Sequence, residues 1–156
     1  MANGLSLTQR GIRPIKGQAA FLPNQPIIHN CIVDPSAEAA LVPGDVVTFA
    51  TTTLTDATVV KKAAATDTPC GVVVYNALKS AFVANDKISI FPVDSFVYLP
   101  AGSAALTNGA AVGINSDGQV VAASTNAAIG ILWTQPAAVG DLVVVQIKPV
   151  AAASTY

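Results

Sequence analysis

Charge is scarce in this chain. Only 11% of its 156 residues are charged, eight basic against nine acidic, and the net charge is −1. A soluble monomer ordinarily carries about 25% charged residues and a net charge clear of zero, because both oppose self-association. A surface this poor in charge is expected to be covered by a neighbour. Glutamate is reduced to Glu38 alone, which removes a strong helix former, while Val is abundant and Thr and Ile are well represented. That balance favours strand over helix.

Other shortages exclude whole classes of function. His29 is the one histidine and Cys31 and Cys70 the two cysteines, 39 residues apart and outside any CxxC, so a zinc site lacks ligands and no metal or cofactor is expected. The cysteines leave two states open, a disulfide and a pair of buried free thiols, and the lack of an export signal favours the thiols. The chain is 52% apolar, but Gly, Pro, Asn, Asp and Thr break every run well short of the roughly 18 residues of a spanning helix. The start, MANGLSLTQRGIRPIKG, has no apolar core after its charges, so neither a signal peptide nor a membrane partner is expected.

What is present is a recurring phrase. LVPGDVVTFA at residues 41–50 returns as AVGDLVVVQI at 138–147. In each, Gly-Asp makes a tight turn and a β-branched run follows as a strand. A unit of about fifty residues reads twice. GDVVTF, VVKKAAATDTPCGVVVYN and NDKISIFPV fall within about 41–93, and NGAAVGI, VVAASTNAAIGILWT and GDLVVVQI within about 108–147. Asp117-Gly118 in SDGQV is a strong hairpin signal. The expectation is an all-β protein, a compact β-sandwich or small β-barrel of about ten short strands. SAEAALV, residues 36–42, allows one helical turn.

Three regions follow. Residues 1–26 carry Arg10, Arg13 and Lys16 with no acid before Asp34, and Pro14, Pro23 and Pro26 punctuate them. Proline withholds a donor and extends its predecessor, so this segment reads as an extended N-terminal arm. Residues 27–148 form the β domain and 149–156 a C-terminal tail.

No catalytic residue is assigned. His29 and Cys31 alternate onto one side of a strand, yet no orienting group or oxyanion donor accompanies them. Asp45, Asp86 and Asp141 stand singly, unlike the clustered oxygen ligands of a calcium loop. AGSAALTNGAAVG lacks the Lys-Ser/Thr of a phosphate loop. Three cations make a weak footprint for nucleic acid, so no nucleic-acid partner is expected, and Arg10, Arg13, Pro14 and Lys16 are candidate protein contacts. Phe96 and Tyr98 alternate along VDSFVYLPAG, and with Trp133 they are candidate interface aromatics, although core packing is the default reading of Trp133.

The order GDVV, CGVVVYN, VYLPAGSAALTNGAAVGINSDGQVVAA, AAIGILW, GDLVVVQI resembles the capsid decoration, or cement, proteins of tailed bacteriophages over residues 40–148. The resemblance implies a structural virion protein, not an enzyme, assembled in the bacterial host cytoplasm and carried on the outer capsid surface. It would bridge subunits of the major capsid protein, with itself as a further partner in a dimer or trimer. A head- or tail-associated β module that binds host-surface carbohydrate is the alternative.

Overall fold

The computed structural model describes residues 14–22, 24–123 and 128–150. Its ten strands are β1 (Ile28–Val33), β2 (Val46–Phe49), β3 (Val59–Lys62), β4 (Gly71–Val73), β5 (Lys87–Pro92), β6 (Phe96–Pro100), β7 (Ala111–Ile114), β8 (Val120–Ala122), β9 (Ala128–Leu132) and β10 (Leu142–Val150). The fold is all-β, with no helix among the described residues. Within SAEAALV the chain bends instead of coiling. The Asp34 carboxylate accepts the Ser36 N–H at 3.0 Å and the Ser36 hydroxyl at 2.8 Å, an Asx turn that competes with helix for the same donors.

β1 to β5 close into a barrel in the order β1-β3-β2-β4-β5, and β6 to β10 form a sheet in the order β6-β10-β9-β7-β8. These are one topology used twice. β1 pairs antiparallel with β5 and parallel with β3. β6 pairs antiparallel with β10, and just past its end Ala101 meets Val120 of β8 in a parallel bridge. Reading β6 to β10 as a second β1 to β5, every neighbour relation repeats.

Registers and turns repeat with it. The row Val46, Val72, Phe91 across β2, β4 and β5 matches the row Ala111, Ile131, Gln146 across β7, β9 and β10. Gly44 donates its N–H to the Val73 carbonyl at 2.8 Å, and Gly109 donates to that of Leu132 at 2.7 Å. Val33 donates to the Asp86 carbonyl at 2.9 Å, and Ala101 to that of Asp141 at 2.8 Å. Gly71 and Gly130 occupy equivalent points where a Cβ would strike the carbonyl oxygen of Phe91 and of Gln146 respectively. No larger residue fits either place without moving backbone.

The recurring Gly-Asp phrase is a single turn chemistry. Gly44, Asn85 and Gly140 take φ values of 85°, 69° and 91°, the left-handed region that Gly and Asn reach at least cost. The next residue, Asp45, Asp86 or Asp141, accepts on its carboxylate the N–H of Val42, Val83 or Ala138 at 2.8–2.9 Å. Each turn launches the strand that follows. Gly109, at φ 81°, builds the same bend before β7 with Ala110 in place of the aspartate.

Two apolar clusters result from the strand alternation. Val33, Val47, Val60, Val73, Ile88 and Ile90 fill the N-terminal barrel with Leu41 and Phe82. Val97, Leu99, Val112, Ile114, Val120, Val143, Val145 and Ile147 fill the C-terminal unit, and Val46, Ala63, Val72 and Phe91 join that same cluster from the outer face of the barrel. Each fully buried Val or Ile contributes about 1.5–3 kcal/mol. The two units therefore share one continuous apolar joint.

Candidate interaction surface

The described part of the N-terminal segment lies on its own domain. Gly17 N–H donates to the Tyr98 carbonyl at 2.9 Å and Ala20 N–H to that of Phe96 at 2.9 Å, while Tyr98 N–H returns to the Gln18 carbonyl at 3.1 Å. Residues 17–20 thus cover the outer edge of β6. The Gly17 carbonyl accepts from Tyr75 N–H at 2.9 Å, so the same strand-like stretch touches both units and straps their seam. A Cβ on Gly17 would lie 2.6 Å from the Gly44 nitrogen, which explains the glycine and its φ of 81°.

Beyond the strap, Gln25 finishes the edge with its side chain. The buried amide nitrogen donates to the Phe96 carbonyl at 2.8 Å, and the Phe96 N–H donates to Gln25 Oε1. A side-chain amide here imitates the peptide group that a further strand would supply. The edge is sealed against pairing with another chain.

Phe21 is held by this arrangement against two of the candidate aromatics. Its ring centroid lies 5.6 Å from that of Phe96 and 6.1 Å from that of Trp133, and Phe96 and Trp133 are 5.3 Å apart at 74°. Such tilted and edge-to-face pairs are worth about 0.5–1.5 kcal/mol each and favour this arrangement of the rings. Phe21 is 55% exposed and Trp133 47%. The Trp133 Nε1–H donates to Gln146 Oε1 at 3.2 Å. Tyr98 follows two residues along β6 but is not part of the ring cluster. Beside the cluster runs a groove of about 390 Å3 lined by Leu22, Pro26, Val93 and Asp94 among others. Phe21 and Leu22 escaped the sequence reading because they sit within a proline-punctuated arm, although FLPNQP already presents two large apolar residues side by side.

The other candidates separate. Arg10 and Arg13 lie outside the described residues. Pro14 is half-buried. Lys16 places Nζ 3.5 Å from Oδ1 of Asp45, a carboxylate that also has Lys62 at 3.8 Å. His29 and Cys31 do not meet. A register shift in β1 between Ile28 and Cys31, with Asn30 at φ 62°, breaks the alternation, leaving His29 exposed against the Ser89 hydroxyl at 2.8 Å and Cys31 inside the barrel. Both thiols are free. Burial pushes the Cys31 thiol up, and burial first and the neighbouring Cys31 second push Cys70 up to about 11, the opposite of an activated nucleophile. Asp45, Asp86 and Asp141 serve their turns, and among the described residues no group of three or more His, Cys, Asp or Glu is placed to hold a metal ion. No helix there is long and apolar enough to cross a membrane.

No protein-family model matches the chain, and no curated protein matches it.

Proposed function

We propose that the protein is a structural virion component of the decoration type, one that binds the outer surface of an icosahedral phage capsid and stabilises it by bridging major capsid protein subunits. The observation that carries this reading is the Phe21–Phe96–Trp133 face, a preassembled apolar surface on a molecule with few charges. Contiguous exposed aromatics of this kind mark contact with another macromolecule. The order of turn and strand phrases supplies the phage context. Symmetric copies on a shell turn a modest contact into large avidity, so no deep pocket or reactive group is needed.

Host carbohydrate is the second reading, favoured by a half-exposed indole beside the Gln146 amide. Against it, the 74° angle between Phe96 and Trp133 offers no flat platform for a sugar ring.

The test is sedimentation of the purified protein with undecorated, expanded capsids. Saturation at a simple multiple of the icosahedral copy number, with a rise in capsid melting temperature, is expected. Binding without a plateau, or none, removes the capsid reading, and a glycan array then decides for the alternative.

A further inference from the structure

The duplication of the fold says which partner the aromatic face fits. Inside one chain, the outer face of the N-terminal unit is buried against the C-terminal unit through Val46, Val72 and Phe91, with Val74 packed against the same cluster. The matched registers assign each a counterpart on the C-terminal unit: Ala111, Ile131, Gln146 and, two residues beyond Ile131, Trp133. The Val74–Trp133 match is also made by hydrogen bonds, since Val74 N–H donates to the Ser89 carbonyl at 3.0 Å and Trp133 N–H to that of Val144 at 2.9 Å. In the first unit this row is covered by the C-terminal sheet. In the second it is uncovered to a large extent, with Ala111 exposed, Trp133 at 47%, and Ile131 and Gln146 half-buried.

The opposite side of the joint repeats the pattern. Ile114, the last residue of β7, is 2% exposed within the shared cluster, and the β7–β8 turn lies near the first unit, with Gly118 close to Asp45 and Lys62. Its counterpart Phe49, the last residue of β2, is 65% exposed, and Leu54 beside it is exposed as well. Each end of the chain therefore presents one half of the joint that its middle completes.

We propose that a second copy of this chain occupies the Trp133 face, docking through the Phe49 end of its N-terminal unit, so that the joint within one chain is repeated between chains. This rests on the reading of the aromatic face as a protein-contact surface and names its occupant. Ile131, Trp133, Gln146, Phe49 and Leu54 are all uncharged, so contact among these side chains buries no unpaired charge. The contact is heterologous: it joins unlike patches and builds a ring where the rotation closes and an open chain where it does not. On a shell, such contacts tie decoration copies laterally.

Sedimentation velocity of the full chain from about 1 µM to about 1 mM tests this, with Trp133→Glu and Phe49→Asp as variants. Both side chains are exposed, and unchanged thermal melting verifies each fold; Ile131→Glu and Leu54→Asp serve as a second pair. The wild type is expected to self-associate with concentration, each variant to stay monomeric, and an equimolar mixture of the two to form a dimer and stop there. Only a head-to-tail contact gives that result, because the mixture retains one intact joint. A wild type monomeric throughout, variants that associate as the wild type does, or a mixture that stays monomeric overturns the proposal. Capsid sedimentation run in parallel keeps the readings apart. Saturation of capsids by a chain monomeric in solution sinks the joint alone, and head-to-tail association without capsid binding sinks the capsid reading alone.

Discussion

Nζ of Lys16 lies 3.5 Å from Oδ1 of Asp45, whose side chain is 2% exposed and whose Oδ2 accepts the Val42 N–H at 2.9 Å. A cation read from the sequence as part of a docking arm is thus engaged within its own chain, where it closes the strap over the turn before β2. Replacing Asp45 removes a buried acceptor and strands a backbone donor, a loss of about 1–3 kcal/mol. At about 2–4 °C per kcal/mol for a chain of this size, Asp45→Ala is expected to lower the melting temperature by about 2–12 °C. Lys16→Met, which touches only the partly exposed partner, is expected to shift it far less. Calorimetry of both variants checks the order, and equal shifts contradict it.

Gly130 is the sharpest steric point of the sheet. A Cβ there would strike the Gln146 carbonyl of the paired strand, and backbone cannot swing aside as a side chain can. Gly109 has nothing within 4 Å of its Cβ position and is constrained only by its φ of 81°. Gly130→Ala is therefore expected to cost about 3 kcal/mol or more and Gly109→Ala about 1–2, measured by urea unfolding. A Gly130→Ala variant as stable as wild type would show that β9 and β10 are not so closely paired.

The turns and strands were legible because their chemistry is local. GDVVTF falls on β2 and GDLVVVQI on β10, each announced by a left-handed Gly and an Asp that caps its own turn. Closure of the barrel was not legible, because the parallel contact of β1 with β3 joins Ile32 to Val59 across a long separation that no turn residue marks. The site was half legible. Phe96 and Trp133 stood out as aromatics, but Phe21 reaches them only because Gln25 and residues 17–20 finish the β6 edge. His29 and Cys31 were read as sharing a face, and the bulge at Asn30 that parts them has no local signal beyond the asparagine itself.

Acid should loosen the fold through two carboxylates. The Lys79 ammonium at 2.7 Å, followed by the Val83 N–H, holds Asp86 below its ordinary 3.8. The Ser36 N–H, then its hydroxyl, does the same for Asp34. A depressed folded value means that the native state resists protonation, so this stability is present above pH 3.8 and is lost as pH falls through the lowered values. The melting temperature is expected to be level between about pH 5 and pH 9 and to drop below pH 4. Asp86→Asn keeps an acceptor for Val83 N–H and loses the charge, so its acid slope should be shallower; an unchanged slope places the effect elsewhere.

The thiols give a prediction at the other end of the scale. Cys31 lies inside the barrel and Cys70 packs against the same cluster, with Cys70 raised to about 11 by burial. At pH 8 neither thiol should react with an aromatic disulfide reagent in the native state, and both should react at once in denaturant. Because the folded state holds the proton more tightly than a thiol of ordinary value 9.0, stability should also decline as pH rises from 9 toward 11. Rapid native labelling of either cysteine would contradict this burial.

The strap sets where the N-terminal segment can be cut. Residues 17–20 carry the hydrogen bonds to Phe96, Tyr98 and Tyr75, and Lys16 carries the contact to Asp45. A deletion of residues 1–20 therefore uncovers the β6 edge, leaves Asp45 without its nearer cation and removes the strap over the seam between the two units. It is expected to lower the melting temperature by several degrees and to promote aggregation through the opened edge. A deletion of residues 1–13 keeps all of those contacts and should melt as the full chain does. The shorter deletion is then the one that tests Arg10 and Arg13 as capsid contacts, because any loss of capsid binding in it is separable from loss of fold. If removing residues 1–20 leaves the melting temperature unchanged, the strap is not part of the stable domain and the arm ends at Pro26 as its proline pattern first implied.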